Sequence, residues 1–169
     1  MTTEAADARL FIALWPTPAV RRALAAEQRL WRWPAGAALT AADKVHLTLH
    51  FLGAVPASRV AAVAEGLRRP CPRFTLLLDH AAVWPNRCAV LGASEVPAPL
   101  AALHGALAEA LRGMKLPVET RALRPHVTLA RKARGAVAPA APLALRWPVR
   151  GYTLMQSAAG RYTALARYG

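Results

Sequence analysis

A four-residue motif that occurs twice, His-x-Thr-Leu, constrains this chain more than any other feature. The first copy covers residues 46–49 (HLTL) and the second covers residues 126–129 (HVTL). The copies begin 80 positions apart (126 − 46), close to half of the 169-residue chain, and the sequence has only five histidines. Chance is a poor explanation for two such copies at this spacing. The repeat therefore predicts two similar structural units, each carrying one histidine and one threonine.

Each copy alternates apolar and polar side chains, which is the pattern of a half-buried β-strand. Residues 45–51 read Val-His-Leu-Thr-Leu-His-Phe, with an apolar side chain at every second position. Successive side chains of a strand point to opposite faces of the sheet. The histidine and threonine of each copy therefore share one face, and the intervening residues face a core. These core-facing motif residues are Leu47, Leu49, Val127 and Leu129.

The shared polar faces suggest acid–base chemistry on a phosphate. Two imidazoles that face each other across a cleft can act as acid and base together, because histidine has an unperturbed pKa of about 6.5. We therefore take His46 and His126 as the catalytic candidates. Thr48 and Thr128 lie beside them and can donate to phosphate oxygens. Arg131 can add positive charge, but its alternation matches the core-facing residues, so it reaches the histidine face only if the strand bends or ends there. This set suits in-line phosphoryl transfer without a metal or a covalent intermediate.

Other reaction classes find little support in the sequence. His46 and His50 lie about 13 Å apart on a strand, too far to hold one metal ion. The two cysteines have neither a CxxC nor a zinc spacing, and the chain lacks a GxSxG elbow, a GxGxxG loop and a Walker A loop. We therefore expect no metal and no cofactor.

The remaining histidines have weaker patterns around them. His50 has no counterpart in the second copy, where Ala130 stands, and we expect a rim or structural role for it. His80 and His104 have no motif around them and are expected to be ordinary surface or helix residues.

Charge indicates the kind of partner. The chain has 22 Lys and Arg against 9 Asp and Glu, a net charge of +13, and its last acidic residue is Glu119. Such asymmetry suits a polyanion, nucleic acid before membrane, although a compositional bias toward Arg and Ala is the alternative explanation. No apolar run approaches the ~20 residues of a membrane span, and the first residues lack the basic start of a signal peptide. We expect a cytoplasmic protein. The basic residues after Glu119 are Arg121, Arg124, Arg131, Lys132, Arg134, Arg146, Arg150, Arg161 and Arg167.

Strand and helix signals alternate along the chain and predict one α+β domain, residues 1–169, of two similar lobes. The predicted helices are 18–31, 58–67 with Ser58 as its N-cap, and 99–114. The predicted strands are 9–15, 45–52, 74–78, 88–91 and PHVTLARK, with two or three more between residues 143 and 168 and a turn at Gly160.

The doubled motif, as HLTLHFLG and PHVTLARK, resembles the two-histidine (2H) phosphoesterases. Within them the chain is similar to the RNA 2',3'-cyclic phosphodiesterases, historically called 2'-5' RNA ligases. The likeness extends to RLFIAL near the start and GRYTALARY at the end. It implies a bilobal, pseudo-symmetric (LigT-like) fold, with two antiparallel sheets flanking a central cleft and helices on the outside.

The resemblance also implies a reaction and assigns a role to each candidate. The reaction is metal-independent hydrolysis of a ribose 2',3'-cyclic phosphate to a 2'-phosphate. His46 matches the proton donor, His126 the proton acceptor, and Thr48, Thr128 and Arg131 the phosphate-binding residues.

Several expectations accompany this assignment. Asp43, beside His46 in sequence, is expected to keep that histidine protonated, while His126 lies in the more basic half and starts neutral. His50 departs from the family pattern, and the alternation puts it on the catalytic face. The expected partners are RNA ends bearing a 2',3'-cyclic phosphate (tRNA halves or oligonucleotides) or cyclic nucleotides, bound by a monomer. The alternatives are 2'-5' RNA ligation or its reversal, and a non-catalytic RNA- or nucleotide-binding module.

Overall fold

The computed structural model describes residues 6–169, and within them it has ten β-strands and three α-helices. Residues 1–5, part of the predicted domain, lie outside the described residues. The helices are α1 (Pro18–Leu30), α2 (Val60–Gly66) and α3 (Ala98–Gly113). The strands are β1 (Ala8–Leu14), β2 (Ala38–Leu39), β3 (Leu47–Val55), β4 (Phe74–Leu78), β5 (His80–Val83), β6 (Ala89–Gly92), β7 (His126–Arg131), β8 (Leu145–Val149), β9 (Tyr152–Ala158) and β10 (Arg161–Tyr168).

The strands form two four-stranded sheets and one two-stranded sheet. The first sheet has the order β10-β9-β1-β3, the second has the order β2-β7-β6-β5, and β4 pairs with β8 in the third. Every strand pair is antiparallel. The predicted α+β class with two antiparallel sheets is thus confirmed. Neither four-stranded sheet comes from one half of the chain, because β9 and β10 join β1 and β3, while β2 joins β7.

The two faces of the first sheet carry different sets of side chains. Leu10, Ile12 and Leu14 enter the main hydrophobic core. The alternate residues Phe11 and Ala13 point to the other face and form a smaller cluster with Met155 of β9. This alternation follows from the strand period of two. We refer to the second face, which carries Phe11, as the aromatic face.

Each of the two longer helices buries apolar side chains along one face. In α1, the Thr17 side chain caps the start by accepting a hydrogen bond from the Val20 N–H at 3.3 Å, and Val20 and Leu24 are buried. In α3, a stripe of four leucines is buried in the main core. That stripe consists of Leu100, Leu103, Leu107 and Leu111.

The prediction that Ser58 caps the second helix is wrong. Ser58 lies inside a single 3-10 turn, Ala57–Arg59, and α2 begins only at Val60 without a side-chain cap. The Arg59 N–H donates to the carbonyl of Pro56 at 2.8 Å, so the chain is already turning at Ser58. An N-cap needs extended backbone, which this turn does not provide there.

Both motif strands contain a β-bulge at the leucine that follows the threonine. Thr48 of β3 pairs with Ala13 of β1, and the next paired residue is His50, so Leu49 is left without a partner. In the same way, Thr128 of β7 pairs with Val90 and the next paired residue is Ala130, which leaves Leu129 unpaired. The two bulged residues, Leu49 and Leu129, are again 80 positions apart. The repeat in sequence is therefore also a repeat in backbone geometry.

The bulge reverses the alternation that the sequence predicts beyond each motif. An extra residue in a strand shifts every following side chain to the opposite face. His50 is consequently buried, with 2% of its surface exposed, whereas Phe51 is 70% exposed. The prediction that places Phe51 in the core and His50 on the catalytic face is wrong for this reason. The same shift acts on Arg131, five residues after His126.

Candidate active site

The two motif strands lie against each other, which brings the two sheets together at the candidate site. Strands β3 and β7 are in contact. His46 lies at the start of β3, immediately before Leu47, and His126 is the first residue of β7. The positive charges of Arg131 and His126 lower the pKa of His46, after the larger effect of burial. His46 therefore lies within electrostatic range of both His126 and Arg131.

The two imidazoles are held in the same way. His46 Nδ1 donates to the Lys44 carbonyl at 2.7 Å, and His126 Nδ1 donates to the Arg124 carbonyl at 2.7 Å. A carbonyl can only accept, so this contact puts the neutral imidazole's proton on Nδ1 in both rings. Nε2 remains as the atom that exchanges a proton. In the first motif His46 Nε2 lies 3.1 Å from Thr48 Oγ1.

Aromatic rings surround His46 on the aromatic face. The Trp15 indole stacks on the imidazole, with centroids 5.3 Å apart and planes 10° apart. The Phe11 ring lies 5.0 Å away, and the Tyr162 ring meets the imidazole edge-on at 5.5 Å. His126 has the Trp84 ring beside it, with ring centroids 4.3 Å apart.

The sequence analysis does not predict these rings beside His46, although the sequence pattern indicates some of them. Phe11, Ala13 and Trp15 alternate along the predicted first strand, so the strand period alone places them on one face. Tyr162 reaches the site only because β10 joins the sheet of β1 through β9. That long-range pairing leaves no local pattern in the sequence.

Burial lowers the pKa of both catalytic candidates. For His46 desolvation is the main cause, followed by the Arg131 and His126 charges, and the Lys44 carbonyl opposes it in part. For His126 desolvation again comes first, the Arg124 guanidinium also lowers the pKa, and the Arg124 carbonyl opposes it. Both histidines therefore favour the neutral form in the free protein.

The expected role of Asp43 is not found. Asp43 is exposed and is not among the groups that shift the pKa of His46. A carboxylate at the surface is screened by water and contributes little to a buried imidazole. Any charge that keeps His46 protonated has to come from another group.

His50 has a structural environment away from the cleft. Its imidazole stacks on His104 of α3, with ring centroids 4.0 Å apart, and its Nε2 donates to the His104 carbonyl at 3.0 Å. Its Nδ1 is buried without a hydrogen-bond partner in the described part of the chain. The contact joins β3 to α3, which agrees with the structural role expected for His50.

His80 lies in the second sheet, on β5. Its Nδ1 is 3.2 Å from Asp79 Oδ1, and the same carboxylate oxygen accepts a hydrogen bond from Ser94 Oγ at 3.0 Å. His80 is half-buried, and among residues 6–169 no group of three or more His, Cys, Asp or Glu side chains is arranged to hold a metal ion. Among the helices of the same residues, none is long and apolar enough to cross a membrane.

Comparisons with known proteins agree on one family. A family model described as the 2'-5' RNA ligase superfamily matches residues 18–161. The chain is 35% identical to the RNA 2',3'-cyclic phosphodiesterase of Escherichia coli in an alignment of 171 positions, which covers 95% of each chain. It is 32% identical over 167 residues to the RNA 2',3'-cyclic phosphodiesterase of Thermus thermophilus, covering 88% of this chain and 81% of that one. A crystal structure of E. coli LigT complexed with 3'-AMP matches with a TM-score of 0.81 and 32% identity, over 95% of this chain and 96% of that chain.

Proposed function

Because the chain belongs to the 2'-5' RNA ligase superfamily, we propose that it is a phosphodiesterase that hydrolyses the 2',3'-cyclic phosphate at an RNA end to a 2'-phosphate. The observation that carries this proposal is the matched pair of histidines, each with Nδ1 fixed by a backbone carbonyl and Nε2 left to exchange a proton. Hydrolysis of a diester needs a base for water and an acid for the leaving oxygen. Two such imidazoles supply both.

The reaction proceeds by in-line attack. His126 Nε2 takes a proton from water as the water oxygen bonds to phosphorus. The bond between phosphorus and the ribose 3' oxygen breaks, and protonated His46 gives its Nε2 proton to that oxygen. Thr48 and Thr128 donate to the non-bridging oxygens, and Arg131 offsets their negative charge. The product carries the phosphate on the 2' oxygen, and the histidines return to their starting states by exchange with solvent.

The surroundings of the two rings support this division of labour. A bound cyclic phosphate carries one negative charge, which favours the protonated form of the nearby His46. The indole face of Trp15, stacked on that ring, also favours an imidazolium through a cation–π interaction. The Arg124 guanidinium favours the neutral form of His126, as the Arg131 guanidinium does for His46, so the coplanar Trp15 stack is the contact that distinguishes His46. His46 is thus suited to act as the acid and His126 as the base.

We also propose a partner and a cellular location for the protein. The substrates are RNA ends that carry a 2',3'-cyclic phosphate, or the corresponding cyclic nucleotides, bound by a monomer in the cytoplasm without a cofactor. A non-catalytic binding module needs the threonines and Arg131 but has no use for two imidazoles fixed in the same tautomer. Ligation through the 2' oxygen is the same chemistry with a ribose hydroxyl in place of water.

The test is an assay of product identity. The protein is incubated with a short RNA ending in a 2',3'-cyclic phosphate in the presence of EDTA, and the product phosphate is located by phosphorus NMR. We expect a 2'-phosphate to form at a rate that EDTA does not change. A 3'-phosphate product, or no product while the RNA still binds, would overturn the proposal.

A further inference from the structure

A basic groove lies on the second sheet and is lined in part by Trp84, a side chain that contacts His126. Its lining consists of Val83, Trp84, Pro85, Arg87 and Arg134. The Trp84 ring forms a wall of this groove and also packs on the His126 imidazole, with ring centroids 4.3 Å apart. The groove and the candidate catalytic centre therefore share one side chain.

Two loops hold the arginines of this groove in place. Arg87 lies in the turn between β5 and β6, where its N–H donates to the Trp84 carbonyl at 2.8 Å. Arg134 lies in the loop after β7, and its neighbour Ala133 donates its N–H to the Arg87 carbonyl at 2.9 Å. Arg87 also has a φ of +65°, a left-handed conformation that a non-glycine residue adopts only where its surroundings fix it.

The groove has cations but no matching carboxylate. Its two arginines belong to a set of five exposed basic residues in the β5–β6 turn, on β7 and in the segments next to β7, and none of the five forms an ion pair with a carboxylate of residues 6–169. Glu119, the last acidic residue, is paired with Arg121. Free guanidinium groups of this kind bind phosphate oxygens, often with two parallel hydrogen bonds. The five residues are Arg87, Arg124, Arg131, Lys132 and Arg134.

The groove is better suited to a phosphate than to a base. The Trp84 ring contacts the His126 imidazole, and the Arg124 guanidinium lies over it at 4.7 Å, so these two groups already cover the indole. A nucleobase needs an open aromatic face for stacking. What remains available along the groove is the pair of guanidinium groups.

We propose that Arg87 and Arg134 bind the phosphodiester that precedes the terminal nucleotide, which makes an RNA strand, not a cyclic mononucleotide, the preferred substrate. This inference rests on the proposed function, because the terminal cyclic phosphate must lie between His46 and His126. Because Trp84 lines the groove and also contacts His126, a strand whose last phosphate lies at the histidines passes this side chain on its way to the two arginines. A cyclic mononucleotide has no phosphate that reaches the groove.

The experiment compares three substrates that end in a 2',3'-cyclic phosphate. These are a mononucleoside, a dinucleotide, and the same dinucleotide with a neutral methylphosphonate linkage. We expect the parent protein to show a kcat/KM for the dinucleotide about tenfold above that for the other two. Arg87→Gln and Arg134→Gln should each lower the dinucleotide-to-mononucleoside ratio about threefold, and the double variant should bring it close to one. Arg73→Gln, outside the groove next to β4, is the matched control and should keep the parent ratio.

A binding measurement keeps the inference separate from the proposed function. The affinity for a dinucleotide that ends in a 2'-phosphate is measured for the same variants, and it needs no turnover. Weaker binding by the double variant, with parent-like binding by Arg73→Gln, supports the groove even if hydrolysis is not observed. An unchanged ratio and unchanged affinity in the double variant overturn the groove and leave the hydrolysis proposal intact.

Discussion

Arg131 follows the bulge at Leu129, and its charge lowers the pKa of His46 on the opposite strand. Replacing Arg131 with Ala should therefore raise the pKa of His46 in the free protein and remove a cation from the phosphate. We expect kcat/KM to fall by about tenfold to a hundredfold, the effect of losing a charge-assisted hydrogen bond. An NMR titration of the His46 ring, assigned with His46→Ala, measures the first effect, and initial rates measure the second.

Arg131→Lys is the control for this prediction, because it keeps the charge and loses the planar pair of donors. It should leave the pKa of His46 close to that of the parent and lower kcat/KM less than the Ala variant does. An unchanged pKa of His46 in Arg131→Ala would show that the guanidinium does not reach the histidine face.

His50 makes stability depend on pH, and the sign follows from its burial. Desolvation lowers its pKa in the folded protein, opposed in part by the His104 carbonyl. As the pH falls below the unfolded value of about 6.5, the unfolded chain binds a proton that the folded protein excludes, so the free energy of unfolding decreases. This loss continues down to the folded pKa, by at most about 1.4 kcal/mol per pH unit for one proton.

The variant His50→Leu removes that proton-binding site and fills its place against α3 with an apolar side chain. When the pH is lowered from about 7.5 to about 5.5, the free energy of unfolding should fall less in this variant than in the parent. The two pH values lie on either side of the unfolded pKa, and urea unfolding at each of them measures the difference. Equal losses in the two proteins would mean that His50 is protonated as readily in the folded state as in the unfolded chain.

The two bulges could not be predicted from the alternation of apolar and polar residues in the sequence. The alternation from Val45 to Thr48 correctly predicted a strand with one polar face. It could not predict that Leu49 and Leu129 lack partners, because a bulge depends on how the neighbouring strand is aligned. The consequence was the wrong face for His50.

Two tyrosine side chains of the first sheet form hydrogen bonds with α2 or with the residues that follow it. The Tyr152 hydroxyl accepts from the Arg69 N–H at 2.7 Å and donates to the Leu67 carbonyl at 2.7 Å. Tyr152→Phe leaves both backbone groups unsatisfied, so we expect the free energy of unfolding to fall by about 1 to 3 kcal/mol in urea denaturation. The control is Tyr168→Phe, whose hydroxyl donates only to the Ala64 carbonyl, and it should cost less.

Hydrolysis by both tyrosine variants should match the parent at temperatures where they remain folded, since neither hydroxyl contacts the candidate site. A Tyr152→Phe protein as stable as the parent would contradict the assigned role of this hydroxyl.

At the scale of the whole molecule, one contiguous core includes residues from Ala8 to Tyr168. Both sheets contribute to it, which supports the proposal that residues 1–169 form a single domain. The repeat predicted two related halves, and the bulges at the equivalent residues Leu49 and Leu129 are consistent with that relation. The exchange of β2, β9 and β10 between sheets could not be predicted, because strand pairing between distant segments depends on the packed core and not on local pattern.

The net charge of +13 leads to a prediction about RNA affinity. Each phosphate contacted on a single strand contributes about −0.7 to the slope of log affinity against log salt. A dinucleotide with one phosphate at the histidines and one in the Arg87 groove should therefore give a slope of about −1.4. Fluorescence anisotropy with a labelled dinucleotide at several salt concentrations measures it. A flat line would indicate that the excess of arginine reflects composition alone.

A substrate with sulfur in place of the 3' oxygen separates the roles proposed for the two histidines, His126 as the base and His46 as the acid. In a cyclic phosphate whose 3' oxygen is replaced by sulfur, the leaving thiolate needs no proton, because a thiol has a pKa of about 8.5. His46→Ala and His126→Ala should each lower turnover of the ordinary cyclic phosphate by about 10² or more. On the sulfur substrate, we expect His46→Ala to regain a rate close to that of the parent and His126→Ala to stay slow. Rescue of His126→Ala instead, or parent-like activity of both variants on the ordinary substrate, would contradict these roles.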